Sequence, residues 1–284
     1  MIPLVRRLDP VSTPGTTKGP SVKLTRFSRR GSRLALPAVL AAALTFGLGS
    51  TAHAAPDPIP SSFDFSDCPA LPAGADPLFS HCFVAVVTSG KFQIGKFDQS
   101  IEKPMRITFA QTLNLDTFEF GTVFGKIAAD KMLIQGGLFG DPLLTAVYAK
   151  PEYAGSFELP TSDDFRIRIG LKVRLINPFL GSNCTVGTNS NPIKLDLTTG
   201  TTNPPAPNTP ISGSPATIVQ TSPIEVRAAK HVDNSFAVPG AKGCVFGGGV
   251  ADWLINQVGG FPSAAGKNTM IQNEYIVQKS YSEL

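Results

Sequence analysis

Tryptophan occurs once in this 284-residue chain, and methionine and cysteine four times each. Histidine occurs three times, and only His81 and His231 follow residue 54. The patterns that hold familiar chemistry are missing too. There is no G-x-S-x-G elbow to present a serine nucleophile and no C-x-x-C pair for redox or zinc chemistry. The triglycine Gly247-Gly248-Gly249 lacks the lysine and spacing of a phosphate-cradling loop. Ser100-Ile101-Glu102-Lys103 matches S-x-x-K, but Pro104 and strand-like flanks deny it the helix that would bring Lys103 beneath Ser100, and no K-T-G follows. A long apolar run is missing after the first fifty residues, so nothing there would anchor the chain in a bilayer.

The first fifty residues hold the one segment with a clear purpose. Arg26, Arg29, Arg30 and Arg33 precede a 15-residue apolar run, Leu34–Leu48, and small residues stand at Ala52 and Ala54. Basic, apolar and small-residue regions in this order form a secretory signal peptide. At 1.5 Å per residue the run spans roughly 22 Å, short of the ~30 Å hydrocarbon core. Cleavage between Ala54 and Ala55 is expected, giving a signal peptide at 1–54, a mobile Pro-rich entry segment at 55–62 and a single β-rich domain at 63–284.

Cleavage changes the electrostatics. The whole chain carries 25 Lys/Arg and 21 Asp/Glu, but eight of the bases and one acid lie in the leader, which leaves 17 against 20, a net of −3. A basic balance would point to nucleic acid or an anionic surface. The mature chain has no such balance, so no nucleic-acid partner is expected. No cofactor is expected either. All four cysteines, Cys68, Cys82, Cys184 and Cys244, lie beyond the leader, and an even number in an exported chain reads as disulfides. Three pairings are open; Cys68–Cys82 and Cys184–Cys244 are favoured, the first closing a Pro/Gly-rich loop.

Frequent Pro and Gly, abundant Phe and many short segments bounded by turn residues indicate a mainly β, β-sandwich-like domain with one short helix and two disulfides. Strands are expected at 83–87, 91–97, 105–109, 118–124, 193–197, 224–228 and 270–281. The strongest runs from Phe165 to Leu175, where Phe165, Ile167, Ile169, Leu171, Val173 and Leu175 alternate with charged residues. The helix is expected at 251–258, between two glycine clusters. Thr199 to Pro215 reads as a Pro/Thr-rich loop, and Leu133 to Leu144 shows no clear period.

Some stretches match a known group. Asn177-Pro178-Phe179-Leu180-Gly181-Ser182-Asn183-Cys184, Asn191-Pro192-Ile193 and Leu197-Thr198-Thr199-Gly200-Thr201-Thr202 resemble segments of secreted actinobacterial proteins. Val232 to Gly240 and Pro262 to Thr269 fit the same group, and the resemblance covers most of residues 83–272. It implies export from a high-GC Gram-positive cell. It brings no activity, cofactor or site residue with it.

Three constellations remain as candidates. The strand cations Arg166, Arg168, Lys172 and Arg174 form a candidate anion-binding face, against which stands pairing with acids on neighbouring strands. His231-Val232-Asp233 could orient an imidazole for a secreted hydrolase. Asp163-Asp164 could contribute to a Ca²⁺ site, although a turn before the following strand is the favoured reading. Together these features describe an exported cell-envelope or extracellular protein of non-catalytic type, structural or binding a surface component, with a His231/Asp233 hydrolase as the alternative.

Overall fold

A computed structural model describes residues 57–134, 146–160, 165–246 and 249–284. The chain divides into Met1–His53 and Ala54–Leu284, and the described residues all belong to the second unit. The leader lies outside the described residues.

The strands in chain order are β1 (His81–Ile94), β2 (Phe97–Ser100), β3 (Met105–Asn114), β4 (Glu119–Ala129), β5 (Met132–Ile134), β6 (Val147–Glu158), β7 (Arg166–Ile176), β8 (Thr185–Val186), β9 (Ile193–Thr198), β10 (Ser214–Gln220) and β11 (Val226–Asp233). Three short strands follow, β12 (Ala241–Lys242), β13 (Val245–Phe246) and β14 (Gly249–Val250). Helix α1 (Asp252–Gly259) and β15 (Thr269–Ser280) complete the order. Thirteen strands form one antiparallel sheet with the central path β7-β9-β11-β15-β1-β3-β4, and β6 lies on the other side of β7. The sheet curls until β4 faces β6. No ladder joins those two strands among the described residues; the Phe124 ring stacks on Tyr153 at 3.8 Å and tilts against Phe157. The fold is thus mainly β and sandwich-like, and its layers are parts of one sheet bent over a shared core.

Strand β7 accounts for much of that core. Ile167, Ile169, Leu171, Val173 and Leu175 are buried and meet Ile193, Leu195 and Leu197 of β9. Period-two alternation permits this, because the five apolar side chains at odd positions from Ile167 to Leu175 leave β7 on one face. Helix α1 caps one end of the same cluster through Ile255. Its Asp252 carboxylate accepts the Cys244 N–H at 2.7 Å, and Gly260 closes it in the left-handed conformation.

The outer face of β1, β11 and β15 has its own small core of Val84, Val86, Val226, Tyr275 and Val277, covered by Ile59, Phe63 and Phe65. The entry segment, expected to be mobile, is held there from Asp57 onward. Thr88 Oγ1 donates to its carboxylate and Tyr275 donates its hydroxyl to its carbonyl. The disulfides are Cys68–Cys82 and Cys184–Cys244, the favoured pairing.

Two expectations are adjusted. The segments read as separate strands at 83–87 and 91–97 are mostly one strand, β1, with a bulge between Val87 and Ser89 and only Phe97 falling in β2. Gly90 keeps that strand continuous: its φ is +148°, and a Cβ there would stand 1.9 Å from the Ile271 carbonyl oxygen. The loop at 199–215 is folded back on itself by the Thr201–Ser212 bridge, and β10 begins inside its last residues. Asn208 fastens it by donating to the Asn234 and Asn268 carbonyls at 2.8 and 2.9 Å.

Candidate functional site

His231 sits on β11 opposite Gln272 of β15, facing the interior. Its Nδ1 lies 2.6 Å from Glu274 Oε1 and its Nε2 lies 3.3 Å from the Phe165 carbonyl oxygen. The His231 side chain is fully buried and that of Glu274 is 2% exposed. Burial disfavours the imidazolium, yet the Glu274 carboxylate and the Phe165 carbonyl outweigh it and hold the His231 pKa above its ordinary value.

Asp233 does not orient this imidazole. Its carboxylate accepts the Asp196 N–H at 2.8 Å, the Ser235 N–H at 2.8 Å and the Ser235 hydroxyl at 2.7 Å. It is a buried latch between β9 and the end of β11. The structure separates the two residues that the hydrolase reading paired, and it gives the histidine Glu274 instead. Strand alternation carried the signal for Glu274, since Met270, Gln272, Glu274 and Ile276 share one face of β15 and two of them are polar.

The cation row is matched from its neighbours. Arg174 forks onto Glu152, with Nε at 2.6 Å and Nη2 at 3.1 Å from the two carboxylate oxygens, and Lys172 lies 3.8 Å from the same group. Arg166 and Arg168 meet Asp196 at 3.2 and 3.6 Å, and Arg168 also reaches Glu158 at 3.7 Å. The Arg174 fork, with the further charge of Lys172, holds the Glu152 pKa below the usual carboxylate range. The candidate anion-binding face is therefore a cross-strand lattice with its charges matched.

Ser100 ends β2, an extended strand, and Lys103 lies 3.8 Å from Asp130, so S-x-x-K has no helical geometry. Asp163 and Asp164 lie outside the described residues. Among the described residues no three of His, Cys, Asp and Glu gather to hold a metal.

A wide concave site lies on the outer face, and no local sequence pattern marks it. It is a groove of about 520 Å³. Its floor is Lys230 of β11, Asn273 and Tyr275 of β15, and Ser89 beside the β1 bulge. One wall is Ser214, Pro215 and Thr217 of β10; Asp57 of the entry segment contributes to the lining. The bulge turns both Thr88 and Ser89 toward the groove, where Thr88 Oγ1 donates to Asp57 and Ser89 Oγ accepts from Asn273 Nδ2 at 3.1 Å. Burial, with a smaller contribution from the Asp57 charge, raises the Tyr275 pKa. Lys230 has no carboxylate partner among the described residues. The site thus combines hydroxyls, an amide, the Asp57 carboxylate, the edge of the His231-bound Glu274 and the ammonium of Lys230, groups suited to a neutral or weakly charged hydrogen-bonding ligand.

No family model, curated protein or solved structure matches the chain. Among the described residues no helix is long and apolar enough to cross a membrane.

Proposed function

We propose that this is an exported, non-catalytic protein of the cell envelope or its surroundings, which binds a hydroxyl-rich surface component such as a wall glycan. The observation that carries this reading is the groove. Its volume falls within the ~300–1,000 Å³ typical of ligand sites, and its lining offers many convergent donors and acceptors. Lys230 stands in it unmatched, whereas the cations of β7 are all engaged. The leader and the two disulfides support work in an oxidising compartment outside the cytoplasm. Supporting a binding role over hydrolysis, His231 is enclosed, with both ring nitrogens turned to protein groups.

Titration calorimetry with soluble oligosaccharides released from purified envelope tests the reading. Saturable binding is expected, weakened roughly tenfold by Lys230→Gln through loss of a charge-assisted hydrogen bond. Absence of binding to any fraction, or equal affinity in the variant, would remove the groove from the account.

A further inference from the structure

The interior of the curled sheet is incompletely filled. Two neighbouring cavities, each about 30 Å³, lie between its facing layers and share Ile107, Ile127, Leu171 and Gln272 in their linings. Every methionine of the chain after Met1 lines the first: Met105, Met132 and Met270. Unbranched, with three rotatable bonds and a polarizable sulfur, methionine is the apolar side chain that repacks most readily around a guest. Three of them around one void make its walls adjustable.

Gln272 is the polar exception in that first cavity. It is 4% exposed, and on β15 it lies between Gly90 of β1 and His231 of β11. Its side-chain amide has no hydrogen-bond partner among the described residues. An amide offers two donors and an acceptor, which a hydrogen-bonding guest in the cavity would engage. Here it borders both cavities, so an occupant of either is within its reach.

The seam between β4 and β6 supplies a way in. Phe124, Tyr153 and Phe157 close it by ring contact and no ladder crosses it, so parting it breaks no backbone hydrogen bond between those strands. At rest each cavity holds little more than a water or two, which need ~10–15 Å³ each. A longer guest requires the methionines to rearrange. Among the described residues no Lys, Arg or His lines either cavity, so an anionic head would be buried there without a counter-charge.

We propose that the interior of the sheet is a binding site for a linear apolar molecule with a neutral hydrogen-bonding head, such as a medium-chain alcohol, the head on Gln272 and the chain among Met105, Met132 and Met270. This site lies on the inner face of the sheet and the groove on the outer, with Glu274 bordering both, and it does not depend on ligand binding in the groove.

The test is a titration of the purified protein, carrying ¹³C-methyl methionine, with decan-1-ol, decanoic acid and decane, followed by NMR. Saturable movement of the three interior methyl signals is expected with decan-1-ol, and roughly tenfold weaker binding of decanoic acid and of decane. Gln272→Met should retain the fold by circular dichroism and lose the preference for the alcohol over decane. Ala149→Met, which fills the first cavity from β6, should abolish binding; Ala149→Val is the milder filling variant should the first fail to fold, with weakened binding expected. Lys230→Gln should leave decan-1-ol binding unchanged, which keeps this site distinct from the groove. Interior methyl signals unmoved by decan-1-ol would overturn the proposal and leave the cavities to water. Undiminished binding in a folded cavity-filling variant would overturn it equally.

Discussion

The ion pair of His231 and Glu274 is the most consequential residue-scale feature, because two groups that water would solvate are enclosed and, among the described residues, their side chains hydrogen-bond to each other and to one carbonyl. Such a pair is costly to assemble and more costly to break, since removing one member leaves the other charge buried alone. With the folded pKa of His231 raised above its unfolded value near 6.5, the pair's contribution is complete below that value. It is lost as pH rises through the raised folded pKa. Urea midpoints should therefore fall as pH is taken upward from 6, and Glu274→Gln should flatten that dependence. His231→Leu, which strands the carboxylate, is expected to cost about 3–5 kcal/mol in the same measurement at pH 6. A midpoint that does not move with pH in the parent protein would show that the imidazole is neutral throughout. The sequence offered His231 and a nearby acid, and chain proximity favoured Asp233. Partnership instead follows the register of β11 on β15, where Ala229 faces Glu274 and His231 becomes its diagonal neighbour. No local pattern encodes that register.

At the scale of elements, legibility follows the regularity of alternation. Strand β7 is plain because five apolar residues recur at every second position from Ile167 to Leu175, and helix α1 because glycines frame it. Strand β6 went unread: Pro151 and Gly155 interrupt it, and both residues ordinarily argue against a strand. Pro151 is tolerated because β5 covers β6 only from Val147 to Ala149, so beyond that point one side of β6 carries no ladder among the described residues. The entry segment was misjudged for a related reason. Its prolines suggested loose chain, whereas its ordering comes from partners distant in sequence. Asp57 is held by Thr88 and Tyr275, and the residues that follow the segment are fastened in the same way: Arg106 of β3 pairs with both Asp64 and Asp67, and Lys126 of β4 reaches Asp67 at 3.0 Å. Two hydrogen bonds from Ser66, then Arg106, bring the Asp64 pKa down to about 2, and Lys126 followed by Arg106 lowers that of Asp67. Arg106→Met should speed amide exchange through residues 63–68 while exchange in β7 and β9 stays unchanged, at a cost of about 1 kcal/mol. Protection unaltered at 63–68 would assign the hold on this segment to Phe63, Phe65 and the Cys68–Cys82 bridge alone.

Across the whole molecule, distant parts of the chain must meet before the sheet exists. Strand β1, near the start of the described residues, pairs with β15 at the far end, and that ladder runs from His81 opposite Ser280 to Gln93 opposite Thr269. Contacts of such separation carry a loop-closure cost in the unfolded chain, and the disulfides reduce it unequally. Cys68 and Cys82 are 14 residues apart, Cys184 and Cys244 are 60 apart. In the chain-entropy account the shorter bridge contributes about 3 kcal/mol and the longer about 4. The longer one also organises its surroundings. The Cys184 carbonyl oxygen accepts the Leu175 N–H of β7, the Cys244 carbonyl oxygen accepts the Ala251 N–H, and the Cys244 N–H donates to Asp252 at the start of α1. Replacing Cys184 and Cys244 together by alanine should therefore destabilise the protein more than replacing Cys68 and Cys82. It should also raise amide exchange in α1, which the other replacement leaves protected. Denaturant unfolding of the two double variants beside the parent decides it. If losing the 14-residue bridge costs more, chain entropy does not govern the contribution of these bridges, and the attachment of residues 63–68 to β1 matters more to stability than the closure of the long loop.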